Sequence, residues 1–381
     1  MLDMGLSDEE MQLKQTARKL AEERLRAPTL EWEQSGIVDF PYLINEMTAV
    51  GLVGMVIPEE YGGGGASFLD FILVMEEMAR VSYPAAYLLQ ATNSGPVKHI
   101  AALASAEVKS RVLSEVAAGK AICSIAITEP DAGSDLGAIR TTARQAADGE
   151  FRVNGRKLYV GGAGNSSFYV VYVRMSDDPG TKGLGCILID ADTDGLELGP
   201  NANMLGSRGI PRHELIFNDC RVPAANVLCG PGEFRRLISI FNGERIHNAA
   251  MALGTATGAY DHALEHARAR VQFGQRLADF QGIRWKLADM AARLDTSRLL
   301  VQRVARLVDS GADVGYAASV AKLITCEAAC EIVDSALQIE GAMGYHEGFV
   351  QNAYRNVRMT TIAAGSTEMM RNHLANLVVR G

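Results

Sequence analysis

The hydrophobic period of this chain changes twice, and that change limits the folds open to it. Met11, Leu13, Ala17, Leu20 and Ala21 recur at helical spacing, and Phe68, Ile72, Met75 and Ala79 repeat the pattern. Ser7, followed by Asp8, Glu9 and Glu10, opens the first helix as an N-cap with acids in the first turn. Between about 119 and 228 the apolar runs shorten to strand length: Ile122–Ile127, Tyr169–Val173, Cys186–Ile189 and Glu214–Phe217. Phe151–Val153 and Lys157–Val160 flank Asn154-Gly155, a dipeptide that signals a hairpin turn. From about 233 onward amphipathic helices return, over roughly 233–270, 279–309, 314–342 and 366–379. Pro58–Gly65 separates the first helices and reads as a flexible loop. The expectation is a multidomain α+β chain. It has a helical N-terminal domain over 1–118, a middle β-barrel or sandwich over 119–232, and a C-terminal four-helix bundle over 233–381.

Composition narrows the function classes. A chain of 381 residues, 48% apolar, can bury more than one core. It has no uncharged apolar run of membrane-spanning length. Its start lacks the basic and apolar stretches of a secretory signal, so a cytoplasmic protein is expected. Net charge −8 argues against a nucleic-acid surface. The cysteines at 123, 186, 220, 229, 326 and 330 sit in apolar context without a histidine nearby in sequence. They read as reduced core thiols, with no metal site expected.

Chemistry is carried by three segments. Thr128-Glu129-Pro130-Asp131-Ala132-Gly133-Ser134-Asp135 follows the first strand and offers backbone N–H groups and hydroxyls to an anionic or heteroaromatic ligand. Taken alone it reads equally well as an acidic turn. Arg270-Val271-Gln272-Phe273-Gly274 taken alone reads as a polar interhelix turn with one buried Phe. The third segment runs from Gln338 to Glu368. It includes Gly341-Ala342-Met343-Gly344-Tyr345 and Ala364-Gly365-Ser366-Thr367-Glu368, and Ser366 with Glu368 taken alone reads as plain helix capping.

In this order the three segments resemble the acyl-CoA dehydrogenase family of flavoproteins, over nearly the whole chain. The resemblance implies three domains, bound FAD, and a thioester dehydrogenated between its α and β carbons. It implies that Ile125, Ile127, Thr128, Gly133 and Ser134 form one wall of the flavin site, with Tyr159 packed on the ring. Gly161 stands where the family usually has Ser or Thr reaching the ring edge. Arg270, Gln272, Phe273 and Gln281 would reach the FAD of a neighbouring subunit, and Gln338 and Gly341 the adenosine part. Ser366 and Glu368 would present a helix N-terminus to the cofactor. A homodimer or homotetramer, with an electron-transferring flavoprotein as electron acceptor, is implied as well.

The resemblance also bears on the base that removes the α-proton. Many family members carry a Glu directly before the Gly-Ser/Thr of the last motif, and here that position is Ala364. A subset, including the isovaleryl-CoA type, places the Glu on an inner helix before an Arg, and Glu244-Arg245 matches that pattern. An arbitrary Glu-Arg pair on a helix is ordinarily solvated. The resemblance makes Glu244 the expected base, with Ser134, Asn242, Arg245, Ala363, Ala364 and Gly365 lining the substrate. His247, one turn beyond, is expected to be a packed histidine, or one that tunes the Glu. Ala363 and Ala364 leave volume for a branched or bulky acyl group. Two rival readings stay open: the same scaffold reducing an enoyl-CoA or acting on a carrier-protein-bound acyl group, and a flavin-binding relative without turnover.

Overall fold

The computed structural model of the chain describes residues 5–380. Its helical first part holds α1 (Asp8–Leu20), a π-helical turn over Ala21–Leu25, α2 (Arg26–Ser35), α3 (Phe40–Thr48), α4 (Phe68–Ala79), α5 (Tyr83–Asn93), α6 (Gly95–Leu103) and α7 (Ala106–Ala117). Ser7 caps α1 in a reciprocal capping box with Glu10, as its sequence predicts. The Pro58–Gly65 segment is not the free loop its glycines suggest. Amides of Gly64, Gly65 and Ala66 donate to the carbonyls of Gly54, Ile57 and Met55. A Cβ at Gly63 would collide with the Ile57 backbone, so glycine there permits close approach.

The middle part holds β1 (Cys123–Ala126), β2 (Thr142–Gln145), β3 (Phe151–Gly161), β4 (Phe168–Arg174), β5 (Leu184–Asp190), β6 (Leu196–Asn201), β7 (Arg212–Val222) and β8 (Val227–Cys229). The sheet order is β6-β7-β3-β2-β4-β5-β8, with β1 added parallel to β4. It does not close on itself, so sandwich fits and barrel does not. A single parallel pairing, Thr142 with Arg174, joins the β2 and β4 halves. The expected hairpin at Asn154-Gly155 is absent. β3 runs straight through both residues, and the register against β7 slips between Val153 and Gly155. Gly155 has φ +139°, and a Cβ there would stand 2.6 Å from Thr141 Oγ1. The dipeptide therefore marks a bulge pressed against a neighbour. The true turn lies earlier, where Gly149 with φ +84° joins β2 to β3.

The last part holds α8 (Phe234–Ala269), the short strands β9 (Val271–Gln272) and β10 (Gln275–Arg276), α9 (Gln281–Asp309), α10 (Gly315–Glu340), α11 (Ala342–Tyr345), α12 (Phe349–Val357) and α13 (Thr367–Arg380). The four long helices fall within one or two residues of their expected bounds, while α12 was not foreseen. α8 is alanine-rich from Ala249 to Ala267, buried on every face from Ile246 to Ala259 and on one face at Ala263 and Ala267. It packs against α4, α6, α9 and α10. That burial places Glu244 in the interior.

Candidate active site

Glu244 sits on α8 with only 5% of its surface exposed. Its carboxylate faces the first turn of α6, where Gly95 donates its backbone N–H. Gly95 is required twice: its φ is +43°, and a Cβ would stand 3.0 Å from Glu244 Oε1. Burial pushes the Glu244 pKa up to about 8, and the Gly95 N–H opposes this only in part. Among the described residues no cationic side chain pairs with it. His247 Nε2 lies 3.6 Å from Glu244 Oε2, but burial drives the imidazole down to about 3, so the ring is neutral. Its Nδ1 lies 3.1 Å from Ser94 Oγ.

A second histidine holds the same helix end. His99 Nδ1 is 2.8 Å from the Gly95 carbonyl, and Nε2 is 2.9 Å from Tyr172 Oη. A carbonyl only accepts, so Nδ1 carries the proton. Burial lowers His99 to about 4, so the neutral Nε2 accepts from the tyrosine. Ser94, Gly95, His99 and Tyr172 escaped the sequence reading. The Ser-Gly-Pro run opening α6 is the sequence signal for the first two.

The loop after β1 is pinned from beneath. Glu129, 6% exposed, accepts from Arg140 N at 2.7 Å, Thr141 N at 3.0 Å and Lys157 Nζ at 2.7 Å. Lys157 is fully buried and also donates to the Ile127 carbonyl at 2.9 Å. Burial works to raise the Glu129 pKa, but Lys157 and the two amides hold it below its usual value. Burial lowers Lys157 to about 8, so both partners are charged at neutral pH. Above this pair, Ile125, Ile127 and Thr128 are half-buried and Gly133 and Ser134 exposed. The amides of Gly133 and Ser134 donate to no backbone carbonyl among the described residues. Tyr159 is 54% exposed and held at φ +57°, turned out of its strand. Gly161, two residues on, lies beneath the Arg212 side chain.

The remaining predicted residues fall in two places. Asn242, Arg245 and the Ala363–Gly365 turn gather around α10. Arg245 Nη1 donates to Asn242 Oδ1 at 2.8 Å and Ser319 Oγ at 3.4 Å, and buried Lys322 donates to the Gly365 carbonyl. Burial lowers the pKa of Arg245 and brings Lys322 to about 8. Ala364 has φ +57° and Gly365 +85°, a sharp turn into α13 that Ser366 caps through Met369 N at 3.4 Å. Glu368 is exposed in the first turn. Arg270, Gln272, Phe273 and Gln281 form an exposed projection instead. Phe273, at the tip of the β9–β10 hairpin, is 95% exposed, which overturns the reading of it as a buried Phe. Gln338 and Gly341, at the end of α10, are exposed too.

Among the described residues no helix is long and apolar enough to cross a membrane, and no cluster of three His, Cys, Asp or Glu could hold a metal ion. Three family profiles match in order: the N-terminal domain of acyl-CoA dehydrogenase over 7–120, the middle domain over 124–220, and the C-terminal domain over 234–378. An acyl-CoA dehydrogenase of Bacillus subtilis (strain 168) is 34% identical over 381 residues, covering 99% of this chain and 100% of that protein. The caffeyl-CoA reductase-Etf complex subunit CarC of Acetobacterium woodii is 32% identical over 381 residues, covering 99% of this chain and all of its own. The structure of butyryl-CoA dehydrogenase from Megasphaera elsdenii superposes with a TM-score of 0.95 at 30% identity, covering 100% of both chains.

Proposed function

Because this chain belongs to the acyl-CoA dehydrogenase family, we propose that it removes the α-proton of a saturated acyl-CoA with Glu244 and yields the α,β-enoyl thioester. The observation that carries this reading is a buried carboxylate with no cationic partner among the described residues, its pKa lifted to about 8. A carboxylate in that state becomes a strong base once deprotonated, because solvent no longer stabilises its charge. Ala364, at the family's other base position, contributes no acid-base group.

FAD is the cofactor, and the residues present fit it. The free amides of Gly133 and Ser134 and the outward ring of Tyr159 offer donors and a flat face. When bound, FAD supplies the two-electron acceptor for the hydrogen leaving the β carbon. The chain's own residues do the rest. Glu129 and Lys157 fix the loop, Gly95 orients the Glu244 carboxylate, and the burial of Glu244 keeps water from competing for the proton. Arg270, Gln272, Phe273 and Gln281 reach the cofactor of a second copy, and Gln338 and Gly341 its adenosine part. That geometry accounts for a phenylalanine left almost wholly exposed by its own chain, and it requires a homodimer or homotetramer. Electrons leave to an electron-transferring flavoprotein.

Enoyl reduction on the same scaffold is the second reading, favoured by the full-length similarity to a reductase subunit. An anaerobic titration separates the two. Saturated acyl-CoAs should bleach the oxidised flavin band. A flavin untouched by every saturated thioester, but reoxidised by enoyl-CoAs once chemically reduced, would overturn dehydrogenation as the working direction.

A further inference from the structure

Gly95 gives the Glu244 carboxylate its backbone donor, and the conformation that aims this donor is easily lost. Its φ is +43°, with Ser94 extended before it and Pro96 after it. The N–H that meets Glu244 belongs to the Ser94–Gly95 peptide. A glycine has no Cβ to bar rotation, so a peptide beside it turns readily unless its surroundings are tied. One tie is local: the Ser94 carbonyl accepts from Val97 N at 2.9 Å. Pro96 has no N–H to add a second. The second comes from a side chain, as His99 Nδ1 donates to the Gly95 carbonyl at 2.8 Å.

His99 is in turn fixed from the β-domain. Its Nε2 accepts from Tyr172 Oη at 2.9 Å, and the two rings meet edge to face with centroids 5.9 Å apart. Both side chains are closed to solvent. Each keeps the protonation this contact needs. Burial lowers His99 to about 4, and burial first, then Cys186, Glu244 and Cys229, raises Tyr172 well above its usual pKa. Tyr172 stands on β4 directly after Val171, whose register partner on β1 is Ala126. Ala126 ends β1, and the loop with Thr128, Gly133 and Ser134 follows it. A line of contacts therefore runs from the strand pair that launches this loop, through His99 and Gly95, to Glu244 on α8. The other groups near the carboxylate make no such link. His247, on α8 itself, leads only to Ser94, and Arg245 turns to Asn242 and Ser319. Gln90 of α5 places its Nε2 3.3 Å from where a Gly95 Cβ would stand.

We infer that His99 and Tyr172 are positioning residues for the base: they lock Gly95 so that its N–H stays on the Glu244 carboxylate, and they tie the base to the strands that launch the loop after β1. The inference rests on the reading of Glu244 as the base. Neither side chain takes a proton in the reaction, and the α-proton still goes to Glu244. Without the Tyr172–His99 contact the Ser94–Gly95 peptide is free to turn. The carboxylate then loses its amide donor and holds its proton more tightly. A smaller fraction of molecules is ready to act as base at neutral pH, so the reaction slows there.

The test reads the Glu244 carboxyl itself, through its C=O stretch in an infrared pH titration of the FAD-loaded protein, with Glu244→Gln as the blank. Tyr172→Phe removes one oxygen atom. His99→Asn keeps a donor for the Gly95 carbonyl, and His99→Leu removes it. Tyr172→Phe and His99→Leu should raise the titration midpoint by roughly half to one pH unit, the scale of one hydrogen bond. His99→Asn should raise it less than His99→Leu. Tyr172→Phe added to His99→Leu should shift it no further, because both act through one contact. Bleaching by a saturated acyl-CoA at pH 7 should slow by roughly three- to tenfold in step with the midpoint, and recover at higher pH, which a plain loss of stability would not produce. A midpoint unmoved in Tyr172→Phe overturns the inference, and so does a further shift in the double variant. Should His99→Leu fail to fold, Tyr172→Phe decides alone. Failure of every thioester to bleach the flavin sinks dehydrogenation alone, because the infrared midpoint is read without turnover.

Discussion

Two glutamates in this molecule are almost closed to solvent, Glu244 the deeper set, and they behave in opposite ways. Glu129 is 6% exposed and Glu244 5%. Glu129, below the loop after β1, has Lys157 and two backbone amides aimed at it, and its pKa is held down. Glu244, on α8 and facing the start of α6, has one amide and a neutral histidine, and its pKa rises to about 8. Burial alone does not make a base. The number of donors that follow the carboxylate indoors decides whether it becomes a fixed anchor or a group free to take a proton.

The largest expected effect comes from breaking the anchored pair. Glu129→Gln keeps the shape but strands the Lys157 ammonium, and should destabilise the protein by about 3–5 kcal/mol. Adding Lys157→Met should recover much of that loss, since no buried charge then remains. Thermal or denaturant unfolding of the FAD-loaded protein reads both. A Glu129→Gln protein as stable as the parent would show that the pair is not anchored as described.

Next comes the opposite glutamate. Glu244→Gln should slow thioester-driven flavin bleaching by roughly 10²-fold or more, with FAD still bound at the parental ratio. Partial recovery by Ala364→Glu in that background would mean both positions reach the same α-carbon. A Glu244→Gln protein that bleaches at the parental rate would place the base elsewhere.

The two sites should also separate in pH dependence. Glu244 has a folded pKa raised from 4.5 to about 8, so the folded state binds the extra proton between those values. Its contribution to stability is full below about pH 4.5 and is lost as pH rises through 8. Glu244→Gln should therefore flatten the fall in melting temperature between pH 6 and 9. Glu129 has a depressed pKa, so its contribution is present above about pH 4.5 and lost as pH falls. The bleaching rate of the parent should climb as pH rises through about 8, as Glu244 loses its resting proton. A flat rate between pH 6 and 9 would contradict the assignment.

The smallest expected effect lies at the surface. Phe273→Ser touches neither glutamate and should leave the fold stable. It should lower FAD retention on gel filtration several-fold, together with the assembled mass, if the hairpin serves a second copy. Unchanged flavin content and mass would remove the hairpin from the cofactor site.

Much of this was legible in the sequence, and the physics says which part. The two changes of hydrophobic period gave the order of helical, sheet and helical regions, because side-chain periodicity follows directly from backbone geometry. The N-cap at Ser7 and the bounds of α8, α9 and α10 were readable for the same local reason. Asn154-Gly155 misled because a bulge and a hairpin turn ask for the same backbone freedom, and only the partner strand chooses between them. Glu244 stood out only through resemblance, since its dryness comes from α4, α6 and α10 closing around α8. Phe273 could be assigned no burial without knowing that its hairpin projects from the chain. Lys157 and His99 gave no sequence signal of their roles, because Glu129 and Tyr172, which they meet, lie 28 and 73 residues away. The sequence by itself set element type, order and the residues able to carry chemistry, all governed by local backbone and side-chain preference. The tertiary structure alone decided which charges found partners, because pairing and desolvation depend on what distant segments bring to the same few ångströms.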